Sequence, residues 1–354
     1  MKKIILVSNE DSEDNGTTLI MEKLVMSSGP SRHVEMIKFK APKEKGFRKL
    51  LARVFPLNKS LERSNQKALS NLARRSEIDF IFFGHNMFKQ ALFWSQRRGG
   101  IKLALVDNKL VYYQRKIGAA NYHILKRIIF KIIYHLWRLN YRIYILRDKN
   151  LETIFVSDLD GTQYKKLGAN FVRVIKNGVS NIDVAPHRFI SFPYFAVFHG
   201  DLGYEPNQLA ATYFERLCTD LDCGGVIFGK NSGRISANCQ RIQYFDYVES
   251  LSTYLNSANI YFALIPFGSG IKNKVLEALS AGMLVVGTDV AFDGIETSQL
   301  CCFVFNLEEF ENEVVRLKKY LEIYIDNCKN PFMKNAEYVR KFHDWSDVSE
   351  SYFS

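Results

Sequence analysis

The chain has 354 residues, 47% hydrophobic and 14% aromatic, which excludes a disordered or fibrous protein and predicts two ordinary hydrophobic cores. Its net charge of +11 is uneven: residues 1–185 hold 34 Lys/Arg against 16 Asp/Glu (+18), and the remainder 14 against 21 (−7). A basic first half suits nucleic acid, an anionic membrane leaflet or an acidic acceptor, and the absence of zinc-finger, helix-turn-helix and RNA-binding aromatic signatures argues against nucleic acid.

In chain order, KIILVS reads as a first strand, its apolar run being too short for a signal peptide. A helix from about Thr17, the strand HVEMIKF, a helix near 58–75, the strand IDFIFFG, a helix near 87–97 and the strand KLALVD follow. A long helical region at 121–147, TIFVS, a short helix and FVRVIKNGV complete the half. Strand–helix alternation predicts a parallel sheet covered on both faces. Residues 181–193, with two prolines, read as a linker.

The pattern then repeats as FAVFHG, a helix near 207–220, GGVIFG, RIQYF, a helix at 249–257, IYFALIP, a helix from Lys272, MLVVGT, CCFVF and a helix near 307–325. The predicted domains are 1–185, 186–332 and a returning helix in 333–354, with ligands at the carboxyl ends of strands where the two domains face each other. No run reaches the roughly 18 to 20 apolar residues of a membrane span. All six cysteines lie in the second half, without CxxC spacing, so neither a metal site nor a disulfide framework is expected and a reducing cytosol fits.

Residues 260–296 are the most informative. The apolar strand IYFALIP meets Gly268-Ser269-Gly270 and turns directly into a helix, a junction whose first N–H groups lack intrahelical partners and favour anions. Lys272 and Lys274 add charge, and Glu277, about a turn further on, offers a carboxylate to vicinal hydroxyls. Phosphate donors beside a hydroxyl acceptor describe a nucleotide-sugar site.

The string PFGSGIKNKVLEALSAGMLVVGT resembles the donor-binding segment of GT-B glycosyltransferases, particularly the large retaining group called family four. The segments 154–180, 195–214 and 244–255 recur in the expected order. The resemblance implies two doubly wound Rossmann-like α/β domains facing a central cleft. It makes Glu277 the ribose acceptor, places Gly268, Ser269, Gly270, Ile271, Lys272 and Lys274 along the diphosphate and sugar with Gly200 and Asp201 nearby, and sets Phe245, Tyr247 and Val248 against the base. Two departures stand out. Ser269 occupies the place of a first glutamate common in the group, and Asp201 and Asn207 stand where an arginine and a lysine are usual.

Further candidates lie in the first half. Gly16 and Thr17 follow the first strand, where GT-B enzymes bring a loop toward the donor diphosphate; an ordinary turn fits equally. His85 ends the third strand and Asp107 the fourth, either structural or as contact to sugar and as candidate base. Ser157-Asp158-Leu159-Asp160-Gly161-Thr162 resembles the opening of haloacid-dehalogenase-type phosphatases, which would make Asp158 a nucleophile beside magnesium; the alternatives are a helix cap by Asp158 or Asp160, or an acceptor-side role. GFRKLLARVF (46–55) has an interfacial pattern. So does 123–147, where Leu125, Ile128, Ile129, Ile132, Ile133, Leu136, Leu139 and Ile143 form a stripe flanked by Lys126, Arg127, Lys131, Arg138 and Arg142, although covering a sheet needs the same stripe.

The sequence therefore predicts a cytoplasmic hexosyltransferase, retaining, metal-independent and without cofactor, peripheral on the inner face of the cytoplasmic membrane. Its donor is a UDP- or GDP-linked sugar and its acceptor a lipid-linked or cell-surface glycan of bacterial polysaccharide or lipopolysaccharide synthesis. The alternatives are a magnesium-dependent phosphatase using Asp158 and a non-catalytic nucleotide-sugar- or glycan-binding relative.

Overall fold

The computed structural model describes residues 3–8, 16–30, 32–39, 63–74, 77–119, 122–182, 195–232, 241–258, 260–327 and 331–354. The basic stretch 46–55 and most of the expected linker lie outside them. The chain forms two compact units, Met1–Asn177 with Trp345–Ser354, and Gly178–Asp344.

Unit 1 runs β1 (Lys3–Ser8), α1 (Gly16–Met26), β2 (His33–Lys38), α2 (Arg63–Ala73), β3 (Ile78–Phe83), α3 (Phe88–Ser95), β4 (Ile101–Leu105), α4 (Lys109–Gly118), α5 (Ile124–Arg147), β5 (Glu152–Phe155), α6 (Asp158–Lys165) and β6 (Val172–Val174), and closes with α12 (Trp345–Phe353). Its strands are parallel in the order β2-β1-β3-β4-β5-β6. Successive strand residues face opposite sides, so each strand must be apolar throughout to be covered twice. Ile5, Val7, Phe80, Phe82 and Leu103 pack with Phe88 of α3 and Trp137, Tyr141 and Tyr144 of α5. Ile4, Leu6, Ile81, Phe83 and Ala104 pack with Ile20, Met21 and Leu24 of α1 and with Trp345, Val348 and Tyr352 of α12.

Of these helices α4 goes beyond the sequence reading, while α12 lies within the expected returning segment 333–354. α4 starts at Asn108, whose buried side chain accepts from the Leu110 N–H (2.9 Å) and donates to the Asp160 carbonyl (2.9 Å), a side-chain cap on an otherwise open helix end. α12 is fixed by Arg32, bidentate on Glu350 (2.6 and 2.8 Å), and by Lys102 donating to the Tyr352 carbonyl (3.1 Å).

Unit 2 runs β7 (Phe195–His199), α7 (Glu205–Asp220), β8 (Gly224–Phe228), β9 (Ile242–Phe245), α8 (Leu251–Ser257), β10 (Ile260–Ala263), α9 (Asn273–Ser280), β11 (Leu284–Gly287), β12 (Cys302–Val304), α10 (Phe310–Asn327) and α11 (Pro331–Phe342). The parallel order is β12-β11-β10-β7-β8-β9. Strand order reverses between β7 and β10, the topological switch point of a doubly wound sheet, where ligands enter at the carboxyl ends. Phe214 of α7 lies over the sheet against Phe262 (5.6 Å between centroids) and fills the space a side chain at Gly225 would need.

The division differs from the expected boundaries at both junctions. Residues 178–185 were expected in the first domain, yet Gly178 begins unit 2. There Val179 N–H donates to the His343 carbonyl (2.9 Å), and Ile182 N–H donates to Ser280 Oγ (3.0 Å). α11 was expected to return to the first domain. It stays in unit 2 because the buried Asn335 amide donates to the Met283 and Cys301 carbonyls (2.8 and 2.9 Å) and accepts from the Cys301 N–H (2.7 Å). Only α12 belongs to unit 1.

Candidate functional site

In unit 2 the candidate site is built where β10 and its extension Leu264–Phe267 meet α9. Gly270 has φ +70°, a left-handed conformation that favours glycine. Lys272 precedes α9 in extended conformation without a side-chain cap bond. Its ammonium donates to the Gly270 carbonyl (2.6 Å) and the Ser269 carbonyl (3.2 Å) and lies 3.7 Å from Asp293. Lys272 therefore braces the turn from beneath. Ile271 is buried, and Ser269 Oγ is buried with no hydrogen-bond partner among the described residues.

Lys274 is placed differently. Its ammonium donates to Asn207 Oδ1 (2.6 Å) and lies 4.9 Å from the Phe198 ring centroid. Burial lowers its pKa from the ordinary 10.5 to about 7, helped by Lys272 and opposed by Glu277 and Asp201. Gly200, φ +152°, follows β7 directly; a Cβ there would strike Lys274 Nζ and Asn207 Nδ2, so the backbone conformation and the space both require glycine. Asp201 braces its loop. Its carboxylate accepts from the Gly203 N–H and the Asn231 amide (2.7 Å each), and its carbonyl accepts from Asn207 (2.8 Å).

Glu277 lies one turn further along α9. Its Oε2 is 2.9 Å from His199 Nε2, and His199 Nδ1 is 3.1 Å from the Tyr261 hydroxyl. Tyr261 is fully buried, and burial pushes its pKa well above the ordinary value, so it keeps its proton. The hydroxyl accepts from the His199 backbone N–H (3.4 Å), which leaves its own hydrogen for Nδ1. We assign the histidine proton to Nε2 from this network, and it points at the carboxylate. His199 ends β7, where its ring stacks on Phe228 (5.3 Å, 8°); Phe228 and Phe245 in turn flank Tyr254 at 5.3 and 5.9 Å. Phe245 is thus part of an aromatic row beside the site. Val248 is half-buried, and Tyr247 is 79% exposed.

His199 and Tyr261 were not singled out from the sequence. The signal for His199 was present: it is a histidine at a strand end, the same reasoning that selected His85.

In unit 1, His85 and Asp107 do come together. His85 Nε2 is 2.8 Å from Asp107 Oδ1, Lys109 pairs with Asp107 Oδ2, and the buried Tyr141 hydroxyl lies 3.4 Å from His85 Nδ1. Trp137 meets the imidazole edge-on at 5.2 Å. Burial would raise the Asp107 pKa, but Lys109 and His85 outweigh it and hold the carboxyl well below its ordinary range. Burial also lowers the His85 pKa, Asp107 opposing. Gly16 and Thr17 begin α1 in the same unit, Gly16 exposed and Thr17 buried.

Asp158 is exposed in the first turn of α6. The cap is neither aspartate: Ser157 Oγ accepts from the Asp160 N–H (3.2 Å), and Asp160 is fully buried. Among the described residues no three His, Cys, Asp or Glu side chains are grouped so as to hold a metal ion.

On α5 the expected stripe is split: Ile133 packs against the sheet core, Leu136 and Ile143 are half-buried, and the other five are exposed. Trp137, Asn140, Tyr141, Tyr144 and Ile145 cover the sheet. Leu125 (63% exposed), Ile128 (48%), Ile129 (53%), Ile132 (55%) and Leu139 (49%) face outward. Among the described residues no helix is long and apolar enough to cross a membrane.

Residues 196–319 match the family model described as glycosyl transferases group 1. The fold is similar to that of HepE from Anabaena in complex with UDP and glucose, at TM-score 0.63 and 12% identity over 100% of this chain and 98% of that one. It is also similar to sucrose-phosphate synthase from Thermosynechococcus elongatus (TM-score 0.69, 11%, 100% and 98%) and to the UDP-forming α,α-trehalose-phosphate synthase from Burkholderia vietnamiensis (0.62, 12%, 100% and 96%). No curated protein matches in sequence. The match to that family model lies within unit 2, and the two parallel six-stranded sheets have the GT-B architecture.

Proposed function

We propose that this protein is a retaining, metal- and cofactor-independent hexosyltransferase that moves a sugar from a UDP- or GDP-linked donor to a lipid-linked or cell-surface glycan acceptor in bacterial polysaccharide or lipopolysaccharide assembly. The observation that carries the reading is the constellation at the β7/β10 switch point: the Gly268–Gly270 turn, the Lys274 ammonium and the Glu277 carboxylate within one helical turn of each other on α9. Phosphate oxygens take N–H groups at the start of α9 and Lys274. Ribose hydroxyls donate to Glu277, and the Phe245 row lies on the base side. HepE, solved with UDP and with UDP-glucose, is a neighbour in fold that supports a nucleotide-sugar donor.

Retention is favoured by the state of the unit 1 cluster. An inverting enzyme needs a base with a pKa near the working pH. Asp107, held well below its ordinary range by Lys109 and His85, is too weakly basic for that role. His85 and Asp107 instead serve as fixed hydrogen-bonding groups toward sugar or acceptor, and Asp158, on an exposed first turn, takes no part as nucleophile in this reading.

Lipid-linked acceptors require the enzyme at a membrane surface. The outward Leu125, Ile128, Ile129, Ile132 and Leu139, interleaved with Lys126, Lys131, Arg138 and Arg142, form an apolar face edged by cations, the pattern of a helix lying in an anionic interface.

A thermal-unfolding panel of UDP, GDP, ADP and CMP, with and without magnesium, tests the donor site, because a ligand that binds only the folded state raises the midpoint. A metal-independent rise with UDP or GDP is expected. No rise with any nucleotide, or phosphate release from a generic ester that Asp158→Asn abolishes, would refute the reading.

A further inference from the structure

We propose that His199, locked by Tyr261 into its Nε2–H tautomer, positions the Glu277 carboxylate for vicinal hydroxyls, and that this pair sets a preference for ribose over deoxyribose in the bound nucleotide. The inference rests on Glu277 as the hydroxyl acceptor of the donor site.

The geometry allows one arrangement of protons. Tyr261 Oη accepts the His199 backbone N–H at 3.4 Å and donates to Nδ1 at 3.1 Å, so Nδ1 is an acceptor and Nε2 carries the hydrogen. The imidazole is held between Phe228, stacked at 5.3 Å, and Tyr261, edge-on at 5.5 Å, so ring rotation is opposed on both sides. Nε2–H then donates to Glu277 Oε2 at 2.9 Å, a charge-assisted bond.

Two consequences follow for Glu277. A glutamate loses side-chain entropy when it is fixed by a ligand; here His199 has already fixed it, so less is lost on binding. An imidazole N–H donating to Oε2 also treats the carboxylate as an acceptor, the role that the donating hydroxyls of a diol require. The opposite tautomer would set the Nε2 lone pair against Oε2 and push the carboxylate away. Tyr261 acts by forbidding that tautomer.

Titration calorimetry with UDP and 2′-deoxy-UDP, and with GDP and 2′-deoxy-GDP, tests this. The unmodified protein should bind the ribose form of its preferred base about tenfold more tightly or better. His199→Phe keeps the stack but removes the donor, and should collapse that ratio to within twofold, as should Glu277→Ala. Tyr261→Phe should lower it about threefold, and His199→Gln, which still offers an N–H, should restore part of it. In the Glu277→Ala background, His199→Phe should change nothing further. A ratio lost in Glu277→Ala but kept in His199→Phe would overturn the positioning role and leave the Glu277 assignment standing. A ratio kept in Glu277→Ala, or no binding of either ribonucleotide, would overturn the donor-site reading and the inference with it. If His199→Phe fails to fold, as judged by circular dichroism, a full ratio in Tyr261→Phe overturns the tautomer lock.

Discussion

Replacing Lys274 with methionine should stabilise the ligand-free protein and weaken nucleotide binding. Its ammonium has lost most of its hydration, and the pKa drop from 10.5 to about 7 amounts to on the order of 4–5 kcal/mol against the charged form in the folded state. The unfolded chain binds this proton between pH 7 and 10.5 and the folded one does not. The penalty is therefore fully present below pH 7 and is relieved as pH rises toward 10.5. Methionine removes it but strands Asn207 Oδ1, a loss of about 1–3 kcal/mol, so the net gain at pH 7 is about 1–4 kcal/mol. On the binding side, an ammonium about 4 Å from a phosphate charge at an effective dielectric near 20 attracts it by about 4 kcal/mol. After desolvation about 2–3 kcal/mol should remain, or roughly 30- to 150-fold in UDP or GDP affinity. Calorimetry between pH 7 and 9, where the diphosphate is ionised, should show the unmodified protein losing up to about tenfold per pH unit and Lys274→Met staying flat. Affinity within threefold of the original at pH 7, or a pH-independent original, would refute both the site and the lowered pKa.

Glu277→Ala should lower kcat/KM by about 30- to 150-fold, the loss of one to two hydrogen bonds to a charged acceptor, with the unfolding midpoint little changed; near-normal turnover would sink the assignment. Asp107→Asn should destabilise by about 2–3 kcal/mol at pH 7, since it breaks a largely buried ion pair. Because the Asp107 pKa is depressed, that contribution is present above its ordinary 3.8 and is lost as pH falls below it, so urea unfolding of the two proteins should converge in acid. The triple change Ile128, Ile129 and Ile132→Ser should cost about 3 kcal/mol of binding to vesicles containing anionic lipid, about 1 kcal/mol for each half-exposed side chain, read as a loss of flotation with unchanged nucleotide binding; unchanged flotation would remove α5 from the membrane surface.

The parallel strands were legible because burial on both faces demands unbroken apolar runs such as KIILVS and IDFIFF, and the Gly268–Gly270 turn into α9 because only glycine tolerates such backbone next to a helix start. α4 was missed because KLVYYQRKIG is mostly polar and its start depends on Asn108, a cap that resembles any loop asparagine. α12 lies within the expected returning segment 333–354, but its start was not legible: WSDVSESYF buries Trp345, Val348 and Tyr352 at i, i+3 and i+7, while serines and acids dilute the stripe. On α5 the period was right while the inward face could not be known, since leucines and isoleucines make as good a stripe as the tryptophan and tyrosines that take the sheet. The site residues missed, His199 and Tyr261, are 62 positions apart, and no local pattern joins them. Only the pairing of β7 with β10 does so.

The two units solve the same problem in the same way. Each places a histidine at or just after the end of a strand, His85 beyond β3 and His199 on β7, with a buried tyrosine hydroxyl at Nδ1 and a carboxylate at Nε2. A parallel sheet presents its strand ends to ligand, and a lone carboxylate there would swing freely and share its charge with water. Fixing it through an imidazole whose tautomer is set from the dry interior links the acceptor geometry to the core rather than to the loop. The difference lies in the third partner. Lys109 pairs with Asp107 and helps hold it well below its ordinary range, whereas on α9 Lys274 gives its hydrogen bond to Asn207 rather than to a carboxylate. Exchanging Lys109 for an uncharged residue should therefore raise the basicity of Asp107, since Lys109 is a leading cause of its lowered pKa.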